Sequence, residues 1–362
     1  MFSSFSTVSN ACLVDSSPTN DIPTNNDPTL TYNAALLYNT TNAYTDSASH
    51  TWTNYVYQTC SGVRCLNLNN WTGTLCFLVV AGGGSGGCGL SSGGGGGGGG
   101  QLVCVKYELV NFTDTVTITV AGQATPTSTG VNGVSGGNTT IVFGTNTSFN
   151  ITAVGGGGGG VNGTTNVGLA GGCGGGCGRS ATSLNGLSTT GNYIGGTSVT
   201  IGSNVATIVG YGNASLSNST FMSASYAGPG AGCGGQGTGA VIGTAYSIGG
   251  DGLRPPSGYG VSTYLGYCAG GGGSGNVSLN GSKGGRYGGG CGGGGSISST
   301  FPDSGYYSGY GATDDSGTGA TTSLGGSSSV NTPGSGSYGS GGGGGIGTTA
   351  KGGAGLIIMS IY

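Results

Sequence analysis

The residues of this chain with chemistry to offer are mainly its 11 cysteines and 19 tyrosines. Thiols can pair as disulfides, bind a soft metal or act as nucleophiles. Zinc fits poorly. Cys173 and Cys177, in Gly-Gly-Cys-Gly-Gly-Gly-Cys-Gly, have no second pair at finger spacing, and the chain has a single histidine, His50. What remains is small buried thiols or disulfides, with Cys60, Cys65, Cys76, Cys88, Cys104, Cys173 and Cys177 as the candidates. An odd count leaves at least one cysteine unpaired.

A Ser-His-Asp or Cys-His system would have to use His50, which stands between Ser49 and Thr51 and reads as a polar surface residue. Paired carboxylates reduce to Asp314-Asp315, a few isolated aspartates and Glu108; adjacent residues in a loop do not fix the spacing glycosidase chemistry needs. Gly-x-Gly-x-x-Gly recurs only because glycine is everywhere, and no helix-forming segment follows to present its N-terminus to a phosphate. The sequence is read as a non-enzyme with neither metal nor cofactor.

Binding has more behind it. Tyr259, Tyr264 and Tyr267 follow Pro255-Pro256, and Phe301, Tyr306, Tyr307 and Tyr310 lead toward Asp314. Tyr rings on Gly/Ser loops give rigid, amphipathic contact area. These residues are expected either to grip a host glycan, a receptor or a neighbouring subunit, or to close small cores.

The elements that must position these residues are unusual. Glycine supplies 91 of 362 residues, where an average protein has about 7%. Charged residues are 5% of the chain, with 7 basic residues, so no patch can neutralise a run of phosphates and nucleic acid is not an expected partner. The longest apolar runs, such as 76–81 and 356–359, fall far short of the roughly 20 residues that span a bilayer. The N-terminal residues lack the basic and apolar regions of a secretory signal.

Residues 1–56 hold almost no glycine, carry Pro18, Pro23 and Pro28 in Asn/Thr-rich sequence, and read as an extended arm. Residues 57–362 alternate short β-rich runs with glycine tracts. Expected strands are 75–81, 102–110, 115–120, 139–143, 148–154, 198–201, 205–209 and 355–362, all rich in β-branched or aromatic residues. Turn signals at Asn111–Asp114 and Gly144–Thr147 predict two hairpins, 102–120 and 139–154.

The tracts, including an unbroken run of eight glycines from Gly93, are either flexible linkers or ordered. Order is favoured because they abut core-type strands, enclose cysteines and carry almost no charge. Without Cβ atoms, extended threefold helices can pack closely enough for backbone N–H and C=O groups to pair sideways.

LCFLVVAGGGSGG, then LVCVKYELVNFTDTVTITVAGQ, then GNTTIVFGTNTSFNITAVGGGGGG, and finally GGAGLIIMSIY together resemble the glycine-rich domain of bacteriophage tail-fibre proteins and large DNA-virus structural proteins. The resemblance covers roughly residues 57–362. It implies a mainly β fold: a small antiparallel sheet supporting a bundle of polyglycine II helices, essentially without α-helix. It also implies a virion structural protein, a minor capsid or fibre component assembled with other virion proteins in the host cytoplasm and exposed on the particle. A host-attachment adhesin is the alternative, and a non-viral glycine-rich structural or ice-binding protein a more distant one.

Overall fold

The computed structural model describes residues 40–45, 49, 51–58, 63–89, 93–126, 128, 130–161, 167–178, 196–215, 227–237, 248–261, 266–273, 284–286, 338–346 and 350–362. The strands in chain order are β1 (Thr40–Thr45), β2 (Thr51–Gln58), β3 (Val63–Val80), β4 (Cys88–Gly89), β5 (Leu102–Thr119), β6 (Thr139–Phe143), β7 (Ile151–Ala153), β8 (Thr197–Ile201), β9 (Asn204–Tyr211), β10 (Gly345–Ile346) and β11 (Leu356–Ile361). The one helical element among the described residues is a 3-10 turn, Thr147–Phe149. The protein is mainly antiparallel β, as its β-branched runs require.

The main sheet runs β1-β2-β11-β3-β5-β6-β7, and β9 pairs with β5 and with β8. β5 is long enough to take two partners on one edge: Leu102–Glu108 lie against β9 and Val116–Thr119 against β6. The expected hairpin 139–154 is present, with β6 antiparallel to β7.

The expected hairpin over 102–120 is not. Residues 102–119 form one strand, and Asn111–Asp114 make a corner within it. The turn chemistry was real but serves a bulge. Asn111 and, on β3, Asn70 both take left-handed φ values of 48° and 50°. The β3–β5 register slips between Leu68 and Gly73. A one-residue slip turns a strand's side chains to the opposite face, and a bulge re-phases them. Thus Leu66 and Leu68 share a core with Leu75, Phe77 and Val79, and the alternate residues Val103, Val105, Tyr107 and Leu109 share it with Phe112, Val116 and Ile118.

Two strands come from the stretch read as an arm. β1 pairs with β2, and β2 pairs with β11. The segment TWTNYVYQ is buried on both faces toward its end, with Tyr55 and Tyr57 in the first core and Val56 in the second. Residues 1–39 lie outside the described residues.

The first core centres on aromatic rings. Tyr107, Phe143 and Phe149 have centroids 5.2 to 5.7 Å apart, and Phe112 lies 6.0 Å from Phe143. Tyr107 Oη donates to the Phe149 carbonyl at 2.8 Å, so this fully buried phenol is satisfied. The second core lies on the other face, where Leu78, Val80, Leu102 and Cys104 meet Tyr259, Tyr267 and three tract residues, Cys173, Cys233 and Cys268.

Candidate functional site

Five glycine-bearing segments continue directly from strand ends at one end of the sheet. Residues 81–87 leave β3, 93–101 enter β5, 131–137 lead into β6, 154–160 leave β7, and 350–355 enter β11. The bundle is therefore held by the strands that build the cores.

Residues 93–101 occupy its centre. Gly94, Gly97 and Gly100 donate to the carbonyls of Gly345, Gly342 and Gly339; Gly95, Gly98 and Gln101 to those of Gly160, Gly157 and Val154; Gly96 and Gly99 to those of Gly228 and Ala231, all at 2.6 to 3.2 Å. The carbonyls of the same tract are met in turn. Gly95, Gly98 and Gln101 accept from Gly87, Gly84 and Ala81; Gly96 and Gly99 from Gly176 and Cys173; Gly97 from Gly271. Each partner recurs at every third residue, the period of an extended threefold helix. Three faces give hydrogen bonds and three receive them, so the tract has six neighbours drawn from all over the chain.

This packing explains the run of eight glycines. A Cβ added at any position from Gly94 to Gly100 would come within 3 Å of a neighbouring backbone carbonyl oxygen. At the rim the demand relaxes. In residues 131–137 only Gly133 and Gly136 would drive a Cβ into backbone, toward the carbonyls of Ser85 and Gly82, while Val131 and Ser135 face outward. Sequence reading overlooked this segment as part of the bundle. The signal was glycine at every third position rather than glycine density.

Magnitudes show why the sheet is needed. Ordering a residue's backbone costs about 1–2 kcal/mol, and more for glycine. A hydrogen bond returns about 0.5–1.5 kcal/mol net. A bundle with about one such bond per glycine is at best neutral alone, so the two apolar cores must hold it together.

Where bundle meets sheet, cysteines replace glycines. Cys173, Cys233 and Cys268 are buried, with Cys173 Sγ 3.5 Å from Cys233 Sγ, and Cys233 Sγ 3.0 Å from the Tyr211 carbonyl. Burial pushes all three thiols up in pKa, and it holds Cys76 at about 12 and Cys177 at about 11. Cys104 is raised by burial and by neighbouring Cys76. These thiols are held protonated at neutral pH, which slows their reactions.

Of the thiol candidates, Cys76, Cys88, Cys104, Cys173 and Cys177 are buried, and Cys65 is in a disulfide. The partner of Cys65 lies outside the described residues, as does Cys60. Cys233 and Cys268 had not been singled out, although Gly-Cys-Gly-Gly at 232–235 repeats the setting of Cys173.

Tyr259 and Tyr267 are buried, 9% and 4% exposed, and pack in the second core, which withdraws them from a contact surface. Burial raises the Tyr259 phenol to about 12. Gly260, with φ +70°, lets this loop lie on the sheet, since a Cβ there would strike Trp52 and Ser360. Tyr264, Phe301, Tyr306, Tyr307 and Tyr310 lie outside the described residues. Among the described residues, no group of three His, Cys, Asp or Glu side chains could hold a metal, and no helix is long and apolar enough to cross a membrane.

A tight glycine bundle grown from strand ends defines a structural class before any name. The family model described as a glycine-rich domain matches residues 59–305, and the chain belongs to that family. The match leaves out β11, although that strand lies between β2 and β3 in the sheet. No curated protein matches the sequence.

Proposed function

We propose that this is a non-enzymatic structural protein of a virion, a minor capsid or fibre component whose glycine tracts form a polyglycine II bundle serving as a rigid module. The observation that carries the reading is the central tract 93–101, hydrogen-bonded through its backbone to six neighbours. Such an arrangement fills its interior with main chain. That suits a part that keeps its shape inside an assembly. The resemblance to glycine-rich domains of tail fibres and large DNA-virus structural proteins supplies the setting. Attachment through Tyr-rich loops has less behind it, because Tyr259 and Tyr267 are buried.

Particles purified on gradients from cells infected by the encoding virus test the setting. The chain should sediment with them at a fixed ratio to coat protein and resist a high-salt wash; its absence from washed particles would overturn the virion reading. Amide hydrogen exchange on the full chain tests the module separately. Gly94–Gly100 should be among the slowest amides in the protein, and exchange there at free-peptide rates would remove the bundle.

A further inference from the structure

We propose that Cys173 and Cys233 form an oxidation site, at which a peroxide converts two buried thiols into a disulfide that staples two glycine tracts where the bundle meets the sheet. The two sulfurs are 3.5 Å apart, and both are aimed at the Gly100 carbonyl, at 3.7 and 3.1 Å. Their tracts are already adjacent, since Ala231 donates to the Gly174 carbonyl at 2.9 Å. A disulfide needs sulfurs at about 2.05 Å, so closure asks for a movement of roughly 1.5 Å. What is given up is the weak S–H contacts to the Gly100 carbonyl and, for Cys233, the contact to the Tyr211 carbonyl at 3.0 Å.

The step balances with hydrogen peroxide as oxidant. One thiol, as thiolate, attacks a peroxide oxygen; the O–O bond breaks, a sulfenic acid forms and, with a proton, water leaves. The second thiol attacks the sulfenic sulfur, the S–S bond forms and a second water leaves. The two sulfurs together lose two electrons, and one peroxide becomes two waters. A small oxidant suits a site that is fully buried. Burial also holds both thiols protonated, so oxidation is slow and the reduced form persists until the chain meets sustained oxidant.

Position gives the bond its meaning. The residues are 60 apart in sequence, on tracts that pack beside Gly99 and Gly100 at the base of the central tract. A crosslink there closes a long loop at the junction between bundle and core, where fraying would begin. The chain already carries one disulfide, at Cys65. Cys268 is the competing partner, because Cys233 donates its N–H to the Cys268 carbonyl at 2.9 Å and the Cys268 thiol also touches that of Cys233.

The test uses the full folded chain exposed to hydrogen peroxide at neutral pH. Remaining thiols are alkylated in denaturant, and a non-reducing chymotryptic digest is read by mass spectrometry. The expected product is a linked peptide pair carrying Cys173 and Cys233. Cys268→Ser should keep it, Cys233→Ser should abolish it, and amide exchange at Gly99 and Ala231 should slow at least tenfold in the oxidised chain. Recovery of both cysteines as alkylated thiols, a dominant Cys233–Cys268 link, sulfinic acid at either site without a link, or loss of the fold on oxidation would each overturn the proposal.

Discussion

Gly97 and Gly84 lie so close that no side chain fits between them: a Cβ on Gly97 would overlap the Gly84 carbonyl oxygen. On its other sides Gly97 donates to Gly342 and accepts from Gly271, both at 2.8 Å. The Gly97→Ala variant must push apart main chain that is itself hydrogen-bonded, and is expected to lose about 3 kcal/mol or more, beyond the usual cost of overpacking. Gly122→Ala is the control. Nothing lies within 4 Å of a Cβ there, so its melting temperature should hold or rise slightly, by up to about 1 kcal/mol in stability. Equal effects at the two sites in thermal melts would refute the tight packing.

Alanine substitutions along two segments should give different periods. In 94–100 every position is expected to be intolerant, since each face meets a neighbour's backbone. In 131–137 Gly133 and Gly136 are the glycines that should be strongly sensitive, while Ser135→Ala should stay within about 0.5 kcal/mol. The readout is melting temperature across the series. A flat profile along 94–100 would contradict six-sided packing.

The Asp114 carboxylate ties the corner of β5 to the turn after β6. It accepts from the Thr145 N–H at 3.0 Å, the Asn146 N–H at 2.9 Å and Asn146 Nδ2 at 2.9 Å. Burial acts to raise its pKa, but the hydrogen bonds from Asn146 and Thr145 together outweigh that and hold it below its ordinary value. With the folded pKa depressed, its stabilisation is fully present above the unfolded pKa of about 3.9 and is lost as pH falls through the folded value. Asp114→Asn should therefore cost about 1.5–3 kcal/mol at neutral pH, the range for hydrogen bonds to a charged group. The gap from the parent protein should shrink below about pH 4. Denaturant titrations at a series of pH values measure it, and a pH-independent gap would rule out the charge.

Tyr107→Phe removes only the hydroxyl that reaches the Phe149 carbonyl. An expected loss of about 1–3 kcal/mol follows from leaving a buried carbonyl without that donor. Phe149→Ala empties a fully buried site and should cost about 3–5 kcal/mol. A double-mutant cycle of Tyr107→Ala with Phe149→Ala should show coupling, because the rings sit 5.5 Å apart; strict additivity would place them in separate packing units.

Much of the sheet could be read from residue types, because strands such as Thr139–Phe143 have the β-branched composition that a half-buried surface selects. Three things were hidden for physical reasons. Asn111 carries the same turn chemistry whether it reverses the chain or bends it, and only a partner with a matching Asn70 decides. The rim segment 131–137 escaped because a tract with few neighbours needs glycine on one face only. The thiol junction was harder still. Cys173 and Cys233 meet through the packing of tracts far apart in sequence, and nothing local to either residue announces the other.

The placement of β11 between β2 and β3 sets a timetable for biosynthesis. A ribosome makes the two flanking strands long before Leu356–Ile361, and in the interval their facing edges have no partner. The central tract waits likewise for Gly339, Gly342 and Gly345. Contacts so distant in sequence form slowly, so the nascent chain stays unfinished until its late segments emerge. Its near-absence of charge gives those waiting edges little protection, and chaperone capture at this stage would decide the yield of the folded protein.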